Sequence, residues 1–273
     1  MAITHSTIKA SGERGYATEW NADHMIGDED KSKRAATIII AAADSLDKTK
    51  ADYVCDGTAD NADIQDAIDA LPATGGRILL LDGTYNIEVT TDNDSITINK
   101  PYVKIQGQGH STLLRWDNSA LTGNVFKITS DGYASSMYDF DILSFGVGFI
   151  NFAYYANGAN YWEMYNISSD GTFVRIFSQT TCDYIDMHNI TALNSEFNIE
   201  VQSGERCRFT EIRGISVDMW FTAALTKSLI SGNNVYRIRT ETGTSYNLLH
   251  GNITNLLPIL GTGNVSVDNQ IGW

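Results

Sequence analysis

The sequence predicts an all-β chain whose parallel strands wind into a solenoid, because of its composition and an internal repeat. Isoleucine outnumbers leucine by 28 to 17, and 23 glycines and 21 asparagines accompany only 3 prolines. An excess of β-branched and turn-forming residues over helix formers favours strands joined by many turns. Similar segments recur roughly every 20 residues in the second half, as the stacked coils of a solenoid require.

The charge balance excludes two classes of partner. The chain carries 33 acidic and 19 basic residues, a formal net charge of −14, so it has no general attraction to nucleic-acid phosphates or anionic lipid. The apolar run from Ile38 to Ala43 is far shorter than the ~20 residues that span a bilayer, and no apolar segment follows Met1. We therefore expect no nucleic-acid partner, no membrane insertion and no secretory signal peptide.

Residues 1–35 form a polar segment that differs from the rest of the chain. Tyr16, Trp20 and His24 lie close together in it, which is typical of a patch that packs on another surface. The sequence allows two interpretations, an arm that folds back on its own domain or a segment for docking or oligomerisation. We expect the solenoid to occupy residues 36–273.

One helix is predicted over residues 61–71, near the start of the solenoid. The spacing i, i+3, i+4 and i+7 places four apolar residues on one face: Ile64, Ala67, Ile68 and Leu71. Capping oxygens and negative charge at its N-terminal end come from Asp60, Asn61 and Asp63. Pro72 ends the helix, and the segments Arg77–Leu81 and Thr84–Ile87 that follow are predicted strands.

Residues 56–87 carry an ordered set of short motifs, D-G-x-x-D-N, I-Q-x-A-I-D, G-G and G-x-Y-x-I. This set resembles the N-terminal element of the pectate-lyase-like right-handed β-helix superfamily, in the form common in phage and viral tail proteins. The run Val103–Gly109 fits the second coil of that superfamily. The resemblance implies a single-stranded right-handed β-helix, with the predicted helix capping one end. It also implies a virion fibre or tail-spike protein and a homotrimer.

Three similar segments follow in the second half of the chain. Trp162–Ser168, Ile185–Thr191 and Thr210–Ser216 start 23 and then 25 residues apart. Their alignment predicts a ladder at one corner of successive coils, because asparagine and glycine tolerate left-handed backbone and stacked amides bond to one another. The predicted structural ladder consists of Asn166, Asn189, Gly214, Asn234 and Asn252.

The three cysteines, Cys55, Cys182 and Cys207, are too few and too scattered for a disulfide scaffold or a zinc site. The same alignment places Cys182 and Cys207 on adjacent coils, ~4.8 Å apart. That spacing fits either a disulfide or a ladder of free thiols, and the sequence leaves the choice open.

Alternation along the predicted strands turns Met164 and Met187 toward the core and their neighbours toward solvent. Stacked like charges ~4.8 Å apart need relief by solvent, a cation or a proton. The outward residues therefore fit a solvated acidic face, a calcium site, or a groove that binds or cleaves glycans. They form a column of carboxylates and a neighbouring column of candidate substrate-binding residues: Glu163, Asp186 and Glu211, then Tyr165, His188 and Arg213.

The carboxylate column allows two glycosidase geometries. Glu163 and Glu211 would lie two coils and ~9.6 Å apart, near the carboxyl spacing of inverting enzymes, whereas the neighbours Asp186 and Glu211 would suit a retaining mechanism. The motifs of the polygalacturonase-like members of this fold are missing, since there is no G-H-G and the segment Arg237–Arg239 lacks the lysine of R-I-K.

These observations predict a virion fibre or tail-associated protein that presents one face to a host surface polysaccharide. The alternatives are a polysaccharide hydrolase or lyase that uses Glu163, Asp186 and Glu211, and a structural solenoid without a glycan partner. No cofactor is expected, with calcium as the open alternative. If the N-terminal arm is the docking segment, the resemblance implies that it docks the chain to the virion. The resemblance also implies a virion protein that is assembled in the host cytoplasm and then released.

Overall fold

The computed structural model describes residues 36–88, 94–118, 122–146, 149–155, 158–171, 173–178, 182–193, 196–240, 244–245, 247–256 and 264–271. Residues Ala36–Trp273 form one compact unit. The predicted N-terminal arm lies outside the described residues. Within the described residues, no helix is long and apolar enough to cross a membrane.

The described part of the chain is mostly β-strand, with one α-helix, α1 at Asn61–Ala70, and a short 3-10 turn at Ser130–Gly132. The strands, numbered β1 to β20 in chain order, are Ala36–Ala41, Tyr53–Val54, Gly76–Leu80, Gly83–Ile87, Asp94–Ile98, Val103–Asn118, Thr122–Ile128, Ser136–Gly146, Phe149–Tyr155, Glu163–Gly171, Phe173–Ser178, Asp186–Leu193, Glu196–Glu205, Arg208–Thr226, Leu229–Ser231, Asn234–Thr240, Leu248–His250, Ile253–Leu256, Val265–Val267 and Gln270–Ile271.

Every described strand pairing is parallel, and the strands stack in three ladders. The first ladder runs from β1 and β3 through the first residues of β6, β8, β10, β12 and β14 to β15, β17 and β19. The second runs from β4 through the later residues of β6 to β12 and the middle of β14 to β16, β18 and β20. The third comprises β5, β7, β9, β11, β13 and the ends of β14 and β16. The fold is thus a parallel, solenoid-like β structure, as the all-β prediction expects.

The hydrophobic core lies on the inner side of the three ladders. Met164 and Met187 are buried register partners on the first ladder, as alternation along the strands predicts. Ile167 and Ile190 repeat the arrangement on the second ladder. Burial of apolar surface stabilises the fold by about 25 cal/mol per Å², so each added rung extends the core at the same time as the backbone pairing.

The helix α1 covers the first rungs of this core through Ile64, Ala67 and Ile68, which are buried. It ends at Ala70, with Leu71 already extended. The ammonium group of Lys100 lies at this end and donates to the carbonyls of Ile68, Asp69 and Leu71 at 3.1, 2.7 and 2.7 Å. A cation there offsets the negative end of the helix dipole.

The polar residues at the start of α1 bind strands instead of capping the helix. Asp60 makes no side-chain cap bond; its carboxylate accepts the backbone N–H of Asn86 at 2.7 Å. The amide of Gln65 pairs with both backbone groups of Thr97, at 2.7 and 3.3 Å. These side chains give edge strands the partners that another strand would supply, so α1 closes this end of the ladders.

A left-handed corner follows the first ladder in successive rungs. Asn166 and Asn189 have φ angles of 53° and 51°, and the amide of Asn189 donates to Asn166 Oδ1 at 2.7 Å. The amide of Asn166 donates in turn to Asp139 Oδ1 at 2.8 Å. These three residues belong to a corner column whose members all have positive φ: Asp139, Asn166, Asn189, Glu211, Gly232, Gly251 and Asp268.

The other predicted members of the asparagine ladder lie elsewhere, so that part of the prediction is wrong. Gly214 and Asn234 stand in the second ladder, paired with Val235 and Arg213 respectively. Asn252 comes directly after the corner residue Gly251 and its side chain is buried.

The error is a three-residue slip in register. Asp186 pairs with Arg208 and not with Glu211, so the step between these rungs is 22 residues and not 25. The separation of stacked residues keeps falling, to 21 at Cys207–Ser228 and 17 at Asn252–Asn269. The apolar pattern permits either register, because apolar residues recur here at intervals of three: Phe209, Ile212 and Ile215.

Two columns of asparagine side chains connect the last rungs. Asn252 is 1% exposed; its Oδ1 accepts the amide of Asn233 at 2.9 Å, and its Nδ2 donates to Asn269 Oδ1 at 2.8 Å. At the other end of the same short strands, Asn247 Nδ2 donates to Asn264 Oδ1 at 3.1 Å. Side-chain ladders thus supplement the backbone pairing where the strands shorten to three residues.

The three cysteines are buried, and Cys182 and Cys207 do not stack as predicted. Cys207 lies two residues before Phe209, the register partner of Met187, whereas Cys182 lies five residues before Met187. Gly204 occupies the place next to Cys182, where a Cβ atom would lie 2.6 Å from the Cys182 carbonyl oxygen. Burial raises the pKa of the Cys207 thiol to about 12, so it is protonated at neutral pH.

Replacing a buried asparagine of the last rungs should destabilise the fold strongly. In the Asn252→Ala variant, the buried N–H of Asn233 and the carbonyl of Ile230 lose their partner. Unpaired buried groups cost about 1–3 kcal/mol each, so we expect the free energy of unfolding in urea to fall by roughly 3 kcal/mol. The control Thr191→Ala, on the outer side of the second ladder, should change it by less than about 0.5 kcal/mol. Equal effects of the two variants would contradict the buried ladder.

The corner position of Glu211 predicts a stabilising substitution. Glutamate at a φ of 56° is strained, and an asparagine in its place would relieve the strain and continue the amide ladder above Asn189. We expect Glu211→Asn to raise the free energy of unfolding by about 1 kcal/mol. The opposite substitution at the corner of the previous rung, Asn189→Glu, should lower it. Thermal unfolding of the two variants measures both effects. A loss of stability in Glu211→Asn would contradict the corner assignment.

Candidate functional site

The outer side of the first ladder carries a stack of rings. The rings of Tyr138 and Tyr165 lie 4.6 Å apart with 7° between their planes, and those of Tyr165 and His188 lie 4.9 Å apart with 3° between them. The stack follows from the register, since Tyr165 pairs with Tyr138 on one side and with His188 on the other. The Tyr138 hydroxyl donates to Gln106 Oε1 at 3.1 Å. Tyr138, Tyr165 and His188 are referred to below as the inner stack.

A second aromatic column lies along the turn that precedes the first ladder. The rings of Tyr161 and Tyr184 stack at 4.5 Å, and the guanidinium of Arg206 lies 5.5 Å from the centre of the Tyr184 ring. Tyr102 and Tyr133 continue the column on earlier rungs with an edge-to-face contact at 5.5 Å. These four tyrosines, Tyr102, Tyr133, Tyr161 and Tyr184, are referred to below as the outer column.

Three members of the outer column have an unfavourable backbone conformation. Tyr102, Tyr161 and Tyr184 have φ angles of 57°, 63° and 61°. Bulky residues rarely adopt this left-handed region, at a cost of about 1 kcal/mol or more, whereas glycine and asparagine adopt it readily. Tyr161 is also 54% exposed, so its ring gains little from burial. Arg206 and Lys227 adopt the same left-handed conformation at the corresponding corner of later rungs, so this corner is strained with several residue types.

Glu163 and Asp186 lie between the two aromatic columns. They are register partners on adjacent strands, so their backbones are ~4.8 Å apart. Asp186 contacts Nδ1 of His188 at 3.3 Å and NH1 of Arg208 at 3.9 Å. The side chain of Glu163 is exposed. The face thus offers two carboxylates flanked by rings on both sides, with Arg208 offsetting part of their repulsion.

Register decides which of the predicted site residues share this face. Arg208 and Thr210 take the places that the sequence assigned to Glu211 and Arg213. Glu211 stands at the corner, and Arg213 lies in the second ladder as the partner of Thr191. The structure brings together the remaining four: Glu163, Asp186, Tyr165 and His188.

The tyrosines of both columns, apart from Tyr165, were missed from the sequence. Their signal was present, because a tyrosine stands two residues before the outward carboxylate in two successive rungs, Tyr161 before Glu163 and Tyr184 before Asp186. Tyr138 was missed because the repeat alignment began one rung too late to include it.

The predicted calcium alternative loses one ligand in this arrangement. Glu163 and Asp186 remain on the face without Glu211, and Ca²⁺ usually takes about 6–8 oxygen ligands. In the part of the chain that the structure describes, Cys55, Asp60 and Asp63 offer ligand atoms within 4.8 Å of one another. Burial raises the pKa of the Cys55 thiol, which keeps it protonated, and the Asp60 carboxylate already accepts the backbone N–H groups of Gly57 and Asn86.

The inner stack makes the fold lose stability at high pH. Burial, together with Tyr138 and Glu163, raises the pKa of Tyr165 from 10.0 to about 12. Between these values the unfolded chain releases the proton while the folded chain keeps it, so the stability that Tyr165 contributes below pH 10 is lost as pH rises. We expect Tyr165→Phe to lose less stability than the wild type between pH 9 and 12, measured by urea unfolding. Parallel pH profiles would contradict this assignment.

Comparison with known proteins gives no family for the chain. No family model and no curated protein matches the sequence. Among solved structures, the ORF18 protein of Geobacillus virus E2 is similar with a TM-score of 0.35 and 12% sequence identity, over 76% of this chain and 54% of that chain. The chain therefore spans about half the length of that solved structure. A likeness of this size leaves the function to be argued from the site.

Proposed function

We propose that the chain is a virion fibre or tail-associated adhesion protein whose first-ladder face binds a host surface glycan. The observation that carries the proposal is the pair of carboxylates, Glu163 and Asp186, flanked by the inner stack and the outer column. Aromatic rings offer apolar surfaces to the C–H faces of sugars, and carboxylates accept bonds from sugar hydroxyls. On this face Glu163 is exposed, and Tyr165, Asp186 and His188 are partly exposed.

The strained tyrosines support this proposal more than the stacked rings do. Stacking in register follows from any parallel ladder, so the inner stack by itself is compatible with a purely structural role. Tyr161 and Tyr184 occupy corners where asparagine or glycine would be less strained. Retaining an unfavourable, exposed aromatic residue is expected where the ring contacts a ligand.

The virion location, the right-handed β-helix and the homotrimer are further parts of the proposal. Their support is the motif resemblance of residues 56–87 to the tail-protein form of the pectate-lyase-like superfamily. Two of those motif residues make contacts that stabilise the fold. Gln65 pairs with an edge strand, and the buried Tyr85 hydroxyl donates to the carbonyl of Ile40 at 2.8 Å. The proposed assembly would align three glycan-binding faces and multiply their affinity.

A substitution at the outer column separates binding from stability. In Tyr161→Asn, the relief of left-handed strain offsets the lost stacking on Tyr184, so the free energy of unfolding should change by less than about 1 kcal/mol. Binding to host envelope polysaccharide, measured on a glycan array and then by calorimetry, should weaken about tenfold. The matched control is Lys227→Asn, at the corresponding corner of a later rung, which should leave glycan binding unchanged. An unchanged affinity for the glycan in folded Tyr161→Asn would contradict the proposal.

The second candidate function is glycan cleavage by the same face. Glu163 and Asp186 are register partners on adjacent strands, which favours the short carboxyl spacing of a retaining glycosidase, about 5–5.5 Å. The inverting pair of Glu163 with Glu211 does not form, because Glu211 stands at the corner. The same glycan samples, assayed for new reducing ends, distinguish the two functions. A cleaving enzyme releases reducing ends that Glu163→Gln abolishes, whereas an adhesin binds without product.

A further inference from the structure

One column on the outer side of the first ladder carries two cations and then two carboxylates. Arg77 and Lys104 are register partners on β3 and β6, and further along the ladder Glu163 and Asp186 are register partners on β10 and β12. Ser136 on β8 lies between them, because it pairs with Lys104 on one side and with Glu163 on the other. The same position on five successive rungs therefore reads cation, cation, hydroxyl, carboxylate, carboxylate.

The two cations have no counter-charge within the described part of the chain. Neither Arg77 nor Lys104 forms an ion pair with another described residue; Lys104 is exposed and Arg77 partly exposed. Their backbones are ~4.8 Å apart, so the two like charges repel each other. Glu163 also has no ion pair among these residues, and Asp186 reaches Arg208 only at 3.9 Å. In a chain with a net charge of −14, two neighbouring unpaired cations indicate an acidic partner.

The order of these charges is antisymmetric about the rung of Ser136, and this is the pattern that a two-fold contact between identical chains requires. A two-fold axis that runs parallel to the strands and passes over Ser136 reverses the order of the rungs in the partner. Arg77 then faces Asp186 of the partner subunit, and Lys104 faces Glu163 of the partner subunit. Each of these contacts occurs twice, so both unpaired cations and both carboxylates of each chain gain a counter-charge.

We propose that two free copies of the chain pair face to face through this part of the first ladder, with their rungs running in opposite directions. Facing sheets pack about 10 Å apart, a distance that the side chains of Lys104 and Glu163 span together. The five rungs cover only ~19 Å, so the ion pairs, and not a large apolar area, decide whether the copies associate.

The neighbouring column of the same face brings no like charges together in this pair. Gln106 faces the partner's Tyr165, and Leu79 faces the partner's His188. Tyr138 lies on the axis, opposite its own copy. The pair covers the inner stack and therefore excludes the glycan proposed to bind there, but its formation does not depend on that function. It is a form of the free chain and is separate from the homotrimer proposed for the virion.

Light scattering of the purified full chain, without glycan, tests the pairing. At low salt and about 100 μM protein, the mass should approach that of two chains of 30.0 kDa. Raising NaCl from about 0.05 to 0.5 M should weaken the association at least ~10-fold, because salt screens ion pairs at a small, solvent-exposed interface. A mass of one chain or of three chains at low salt would overturn the proposal.

Two charge-reversal variants make the test specific to the predicted contacts. Lys104→Glu and Glu163→Lys each place like charges opposite one another in both halves of the pair, so each variant alone should stay monomeric. An equimolar mixture of the two should form a heterodimer, because one contact then has its charges exchanged and the other keeps its native charges. A dimer of either variant alone, or no association in a mixture of the folded variants, would overturn the proposal.

Arg115→Glu is the matched control, because Arg115 lies on the same strand as Lys104 but in the second ladder. It changes the net charge by the same amount as Lys104→Glu and should leave the dimer unchanged. Loss of the dimer in Arg115→Glu would assign the association to net charge and overturn the assignment to this face. Because no glycan enters this assay, its failure is distinguishable from failure of the proposed glycan binding.

Discussion

In-register pairing of parallel strands is the constraint on which the rest of the structure depends. Each rung sets its side chains ~4.8 Å above those of the previous rung, so a residue type repeated at one position becomes a column. The same rule yields the methionine pair Met164 and Met187 inside the core and the ring stack of Tyr165 and His188 outside. A shift of register by a few residues would change the core, the corner and the first-ladder face together.

The corners carry a second constraint, because several rungs need a left-handed residue before and after the first ladder. The chain meets it in different ways along its length. Asn189 provides a hydrogen-bonding side chain, Gly232 adopts the conformation without strain, and Tyr184 adopts it with strain while its ring stacks on Tyr161. The last of these solutions costs stability, and it is not confined to tyrosine, since Arg206 and Lys227 adopt the same left-handed conformation on later rungs.

The sequence predicts the fold well where local chemistry is strong. The helix around Ile64 and the alternation around Met164 could be read directly, because periodicity and burial agree there. Register in the later rungs could not, since the rungs shorten and the apolar spacing around Ile212 fits two alignments. The ion pair of Asp218 with Arg237 could not be predicted either, because the two residues meet only after the third ladder is in register.

Cross-linking of engineered cysteines tests the register most directly. In the structure, His188 pairs with Thr210, whereas the sequence alignment pairs it with Arg213. A doubly substituted His188→Cys/Thr210→Cys chain should form an intramolecular disulfide under mild oxidation, since neighbouring strands place the Cα atoms within the ~4.4–6.8 Å that a disulfide accepts. The native cysteines are buried and should not react. Peptide mass spectrometry should find this bond and not one in His188→Cys/Arg213→Cys; the opposite result would contradict the register and the face built on it.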